Sequence, residues 1–247
     1  MKLNVFQTEE EVLNSLAAYY VFVANRAIEK NNRFSVALSG GSSPRKLYEL
    51  LSSATFKHQT DWSKASFFFG DERRVPHTSA DSNYLMAKKA LLDPLQIDVR
   101  QHYPVDTSLP PQEAASHYER DIADYFQGGF WKFDLVLLGL GDDAHTASLF
   151  PGSSILQDTV PAVRENYLSD KQVYRITLNA PLINNAWNVA FLVYGESKAT
   201  ALHQVIEGER NINQFPAQLI QPHEAEVQWF IDQKATAKLI NRTQFVY

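Results

Sequence analysis

Leu135-Val-Leu-Leu-Gly-Leu-Gly-Asp-Asp-Ala-His-Thr-Ala-Ser-Leu-Phe-Pro-Gly152 begins as an unbroken apolar run and then turns abruptly into glycines, two carboxylates and a histidine. A strand buried on both faces of a parallel sheet reads as a continuous apolar run, and ligands in such sheets bind where the strands end. The stretch therefore predicts a buried parallel strand that delivers Asp143 and His145 to a functional edge. An imidazole beside a carboxylate is suited to general base work near neutral pH. Taken alone, these residues fit a solvated loop equally well.

Outward from this segment, short apolar runs alternate with helical patterns. Strands are expected at 34–38, 65–69, 133–138, 174–178, 189–193 and 227–231, and helices at 8–30, 44–52, 83–92, 112–126, 197–207 and 234–240. The first helix has capping-box spacing at Thr8 and Glu11, followed by Val12, Leu16, Tyr19, Val23 and Ala27 on one stripe. The helix at 112–126 carries Ala115, Tyr118 and Ile122 on one face and stops at Gly128-Gly129. This rhythm predicts an α/β protein with a Rossmann-like open, mostly parallel sheet and helices on both faces. The expected organisation is a single α/β domain over residues 1–247.

Composition narrows the function classes. The 247 residues are 45% hydrophobic and 21% charged, an ordinary globular balance that argues against disorder. A net charge of −5 disfavours nucleic acid and anionic membranes, so a phosphate-bearing ligand must be small and held locally. With no cysteine there is no disulfide framework or thiolate chemistry, which fits a cytoplasmic location. Glu9, Glu10 and Glu11 precede the apolar segment 17–24, opposite to the charge of a signal peptide, and no run is long enough to span a bilayer. The seven histidines include no His-Glu-x-x-His pattern, and Asp143 with His145 lacks an evident third ligand, so no metal is expected.

Four expected strands are followed by glycine-plus-polar loops that one sheet edge can bring together. Ser39-Gly-Gly-Ser-Ser-Pro44 is read as a turn into a helix with Ser43 as N-cap and Pro44 at the first helical position. Its free amides suit a phosphate, although a glycine pair also fits an ordinary capped turn, and neither a Walker loop nor a dinucleotide fingerprint is present. Gly195-Glu-Ser-Lys198 sets a lysine in the first turn of a helix, a position the dipole disfavours unless an anion sits nearby. Gly70-Asp-Glu-Arg-Arg-Val-Pro76 offers Arg73 for negative charge and a carboxylate for a hydroxyl or a proton, or forms a surface ion cluster. No Gly-x-Ser-x-Gly elbow is present, so activated water is the simpler nucleophile.

Together with Asp81-Ser-Asn-Tyr84 and Arg175-Ile-Thr-Leu178, these loops resemble, in order and spacing, the 6-phosphogluconolactonase family, which is related to glucosamine-6-phosphate deaminase. The resemblance implies hydrolysis of 6-phosphoglucono-δ-lactone to 6-phosphogluconate without a cofactor or obligate protein partner. It assigns catalysis to His145, Asp143, Asp71 and Arg73, and substrate or phosphate binding to Gly40, Gly41, Ser42, Ser43, Lys198, Arg175 and Asn83. Ala144 stands where the family usually has glycine, so a left-handed backbone is not expected there. Deaminase-like relatives place a catalytic glutamate in an Asn-Glu-Pro stretch where this chain has Leu149-Phe150-Pro151, which favours simple hydrolysis. An amino-sugar-phosphate deaminase or isomerase and a non-catalytic sugar-phosphate sensor are the alternatives.

Overall fold

The computed structural model describes residues 1–169, 172–241 and 245–246. In chain order the elements are β1 (Lys2–Phe6), α1 (Glu9–Asn31), β2 (Phe34–Leu38), α2 (Ser42–Leu51), β3 (Ala65–Phe69), β4 (Asp71–Arg73), α3 (Asn83–Ala87), α4 (Pro111–Tyr125), β5 (Leu135–Gly139), β6 (Val163–Leu168), β7 (Val173–Leu178), α5 (Ala180–Asn184), β8 (Val189–Val193), α6 (Ala199–Ile206), β9 (Val227–Asp232) and β10 (Phe245–Val246). Among the described residues seven strands form one sheet in the order β10-β1-β9-β8-β5-β2-β3, and every pairing in it is parallel.

The β5 strand shows why its sequence is uniformly apolar. Leu135 and Leu137 belong to a cluster on one face with Leu16, Tyr20, Leu47 and Leu51, whereas Val136 and Leu138 face Tyr118, Ile122, Leu182 and Leu202 on the other. Period-two alternation then selects which helix each residue touches, since neither side is wet. Thr8 and Glu11 make both bonds of the expected capping box at the start of α1.

From β2 the chain winds outward to β3, and from β5 it reaches β8 on the opposite side, so the winding direction reverses between the adjacent strands β2 and β5. Loops leaving the carboxyl ends of such a pair diverge and open a crevice. The sheet thus places residues after Leu38 and after Gly139 on the two lips of one cleft.

Several expectations are corrected. The 174–178 strand is β7 of a separate three-stranded antiparallel sheet, β4-β7-β6, and does not join the parallel one. The 234–240 segment is a series of turns, because Asp232 Oδ1 accepts from the N–H of Ala235 and Thr236 Oγ1 bonds back to Gln233, which competes with helix propagation. The 83–92 helix divides into α3 and a wide turn at Lys88–Leu92 closed by Asp93 N–H to the Lys88 carbonyl. The N-cap of α2 is Gly41, at φ +109°, with Ser42 and Ser43 already helical and Pro44 third in the helix. The 197–207 helix starts as a 3-10 turn over Glu196–Lys198. Among the described residues no helix is long and apolar enough to cross a membrane.

Two buried tyrosines brace the strand ends that feed the cleft. Tyr48 Oη accepts from the N–H of Ser39 at 2.9 Å and donates to its carbonyl at 2.8 Å; Tyr118 Oη does the same at Phe69, at 2.6 and 3.2 Å. Phe69 ends the edge strand of the parallel sheet, where the outer backbone groups have no neighbouring strand. Tyr118→Phe should therefore lower the unfolding free energy by about 1–3 kcal/mol, measured by denaturant titration, because both backbone groups lose a buried partner.

Candidate active site

A cleft of about 260 Å³ is lined by Ser39–Pro44, Asp71, Arg73, Asn83, Gly139–Gly141, His145–Ala147, Leu192–Tyr194 and Lys198. All four loops singled out in the sequence reach it. Of the individual residues expected there, Gly40, Gly41, Ser42, Ser43, Asp71, Arg73, Asn83, His145 and Lys198 form its walls. Asp143 stands behind His145. Arg175 lies next to the lining rather than in it: on β7 it stands directly opposite Arg73, on the same face of the small sheet, where burial and the Arg73 guanidinium pull it below its ordinary pKa against the opposing pull of Asp71, Glu72 and Asp81.

The His145 loop is a tight turn closed by Ala144 N–H to the Gly141 carbonyl at 3.0 Å and Gly141 N–H to the His145 carbonyl at 2.8 Å. The reversal puts Ala144 at φ +62°, so the left-handed geometry not expected for alanine is adopted. The turn bonds and a further bond from Ala217 N–H to the Ala144 carbonyl outweigh a strain of about 1–2 kcal/mol. The imidazole stacks on Phe150, with centroids 4.3 Å apart, and its Nδ1 lies 2.5 Å from Asp143 Oδ1. An ionised carboxylate only accepts, so Nδ1 carries a proton, and in the neutral imidazole the lone pair is on Nε2. Burial raises the Asp143 carboxyl, but the bond and charge of His145 outweigh it and hold the group down at about 2.

Gly141 allows this placement, since a Cβ there would sit 2.0 Å from His145 Nδ1 and 2.6 Å from Asp143 Oδ1. Gly40 plays the same part for Asn83: its Cβ would lie 2.0 Å from Asn83 Oδ1.

On the opposite lip, Gly41 at φ +109° turns the chain into α2, leaving the first-turn amides without intrahelical partners. Lys198 stands at the start of α6 with Asp142 as the anion its position called for, Nζ to Oδ1 at 2.6 Å. Asp71 is buried, and both its carboxyl oxygens accept bonds, Oδ1 from Asn83 Nδ2 at 3.2 Å and Oδ2 from Ser148 Oγ at 2.6 Å. Arg73 reaches the Asp81 carbonyl at 2.6 Å and keeps the rest of its guanidinium for the cleft. Among the described residues no cluster of three or more His, Asp or Glu side chains could hold a metal ion.

Sequence reasoning overlooked Glu72, Ser148 and Gly141. Adjacent acidic residues after an apolar strand were a signal for Glu72; Ser148 carries none, because its partner Asp71 is 77 positions away.

Residues 7–229 match the model of the family described as glucosamine-6-phosphate isomerases/6-phosphogluconolactonase. The chain belongs to this family. It is 41% identical over 220 residues to 6-phosphogluconolactonase of Synechocystis sp., covering 87% of this chain and 88% of that one. With 6-phosphogluconolactonase of Rattus norvegicus it shares 36% identity over 243 residues, 97% and 93% of the two chains. The structure of 6-phosphogluconolactonase from Trypanosoma cruzi superposes with a TM-score of 0.83 at 30% identity, covering 97% of each chain. A glucosamine-6-phosphate deaminase structure, 19% identical with a TM-score of 0.80, shares the fold.

Two outcomes follow from this geometry. Gly141→Ala should leave the protein folded but displace the imidazole, lowering any His145-dependent turnover by about 100-fold, since a 1 Å shift of a reacting group costs that much; steady-state kinetics beside a thermal melt would show it. In a carboxyl carbon NMR titration Asp143 should have its midpoint near 2, and His145→Ala should move that midpoint upward, because burial then acts without its counterweight. The stabilisation from this depressed carboxyl is present above the ordinary carboxylate pKa and is lost as pH falls through about 2.

Proposed function

We propose that the chain hydrolyses 6-phospho-D-glucono-1,5-lactone to 6-phospho-D-gluconate, the second step of the oxidative pentose phosphate pathway. The observation that carries this reading is the meeting, in one cleft, of an Asp143-oriented imidazole with a glycine-serine helix start and Lys198. A sugar phosphate needs an anchor for its dianion and a base near the carbonyl at the other end of the molecule. The relatives named 6-phosphogluconolactonase support the same choice.

In the proposed reaction the first-turn amides of α2 and Lys198 hold the phosphate. Nε2 of His145 takes a proton from water as the oxygen attacks the lactone carbonyl. Asp143 favours the resulting imidazolium, and Arg73 or loop amides face the tetrahedral oxyanion. Collapse breaks the bond to the ring oxygen, which takes the proton back from Nε2 and leaves as the sugar hydroxyl. The new carboxylic acid ionises and releases one proton per turnover. A positioned histidine base contributes about 10²–10⁴-fold, with further acceleration from positioning.

Acid release from freshly made 6-phosphogluconolactone should exceed the spontaneous background. His145→Ala should lose most of this acceleration while keeping affinity for 6-phosphogluconate, and Lys198→Ala should act mainly by raising KM. Ammonia released from glucosamine 6-phosphate, with no effect on the lactone, would replace this reading with a deaminase. Product binding with neither reaction would make the protein a sensor.

A further inference from the structure

One buried charge beside the cleft has no part in the steps above. Glu72 is 0% exposed and lies between Asp71 and Arg73 on β4. Its neighbours both line the cleft, so strand alternation turns the Glu72 side chain away from it.

The carboxylate accepts four bonds. Oε1 takes the backbone N–H of Arg73 at 2.7 Å and of Asn83 at 2.8 Å; Oε2 takes the N–H of Tyr84 at 2.8 Å and the Ser82 hydroxyl at 3.1 Å. Asn83 and Tyr84 open α3, where amides have no partner within the helix. Glu72 therefore closes this helix start and fastens it to β4.

The consequence reaches the cleft through Asn83. Its Nδ2 donates to the Asp71 carbonyl at 2.9 Å and to Asp71 Oδ1 at 3.2 Å, which fixes the amide orientation because a flipped amide would set oxygen against two acceptors. Its other side packs on Gly40, as the 2.0 Å approach of a Gly40 Cβ to Oδ1 shows. Asn83 thus touches both the acidic loop and the glycine loop, and Glu72 determines where it stands.

We propose that Glu72 is a positioning residue for the reaction: a buried carboxylate that holds Asn83, and through it Asp71 and the Gly40–Gly41 turn, in the geometry turnover requires. This rests on the lactonase reading, whose own failure is visible in the wild-type protein as absence of lactone opening. A glutamine at 72 keeps the volume but turns an NH₂ toward donors that now meet a carboxylate oxygen. Those donors lose their acceptor, and the first turn of α3 shifts away from Asp71.

The test is a cycle of Glu72→Gln, Asn83→Ala and the double variant, with kcat and KM measured for the lactone and a thermal melt for each. Glu72→Gln should lower kcat by about 10- to 100-fold with a much smaller change in KM, the scale expected for sub-ångström to 1 Å misplacement. If Glu72 acts through Asn83, the double variant should be no slower than Asn83→Ala alone. A folded Glu72→Gln protein with wild-type kcat, or losses that multiply in the double variant, would overturn the proposal. Should Glu72→Gln fail to fold, Glu72→Asp keeps the charge but draws the carboxylate back by one methylene from the amides of Asn83 and Tyr84. A several-fold fall in kcat supports the proposal there, and an unchanged kcat overturns it.

Discussion

A buried hydrogen bond from the Ser148 hydroxyl to Asp71 holds the two working loops in register. Asp71 follows the edge strand β3, whereas Ser148 lies three positions beyond His145 on the loop after β5, and the parallel sheet alone does not join them. The small antiparallel sheet supplies the frame: β4 carries Asp71, β7 pairs with it, and Thr177 Oγ1 of β7 accepts the Ser148 N–H at 3.2 Å. Asn166 Nδ2 of β6 donates to the Ser148 carbonyl at 2.9 Å. The second sheet thus acts as a bracket that fixes the imidazole loop against the acidic loop. Rigid elements hold reacting groups more accurately than free loops do, and here two loops gain that rigidity from strands elsewhere in the chain.

Two left-handed alanines lie at the same place. Gly41, Ala144, Ala147 and Gly195 all have positive φ, and each belongs to a loop bordering the cleft. Glycine tolerates this at little cost, but Ala144 and Ala147 do not. Such residues persist where surrounding bonds over-determine them, and the turn that carries His145 is closed at both ends and tied to Ala217. Thr146 Oγ1 adds a bond to the Gly139 carbonyl, returning the loop to the strand that launched it.

Much of the parallel sheet was readable because its strands are buried on both faces and show as unbroken apolar runs. The expected segments at 34–38, 65–69 and 189–193 coincide with β2, β3 and β8. The antiparallel strands were harder. Asp71-Glu-Arg73 in β4 and Arg164-Glu-Asn166 in β6 are polar even where they are buried, and their strand character comes from pairing with β7 rather than from local preference. At the cleft, glycine turns, His145 and Lys198 announced themselves by type and by position after a strand. Glu72, Ser148 and the bracing tyrosines did not, because their partners are set by the tertiary fold. Arg175, read from its place in a motif, stands directly opposite the cleft residue Arg73 and on the same face of the small sheet.

Lys198 is already neutralised within the molecule, since Asp142 Oδ1 is 2.6 Å from its ammonium group. That carboxylate is mostly in water and sits on the imidazole loop, so the phosphate of the proposed reaction would meet a cation that already holds a tethered partner. Where the new ion pair replaces the old one, the favourable energy of entry is the difference between the two, smaller than that of the new pair alone.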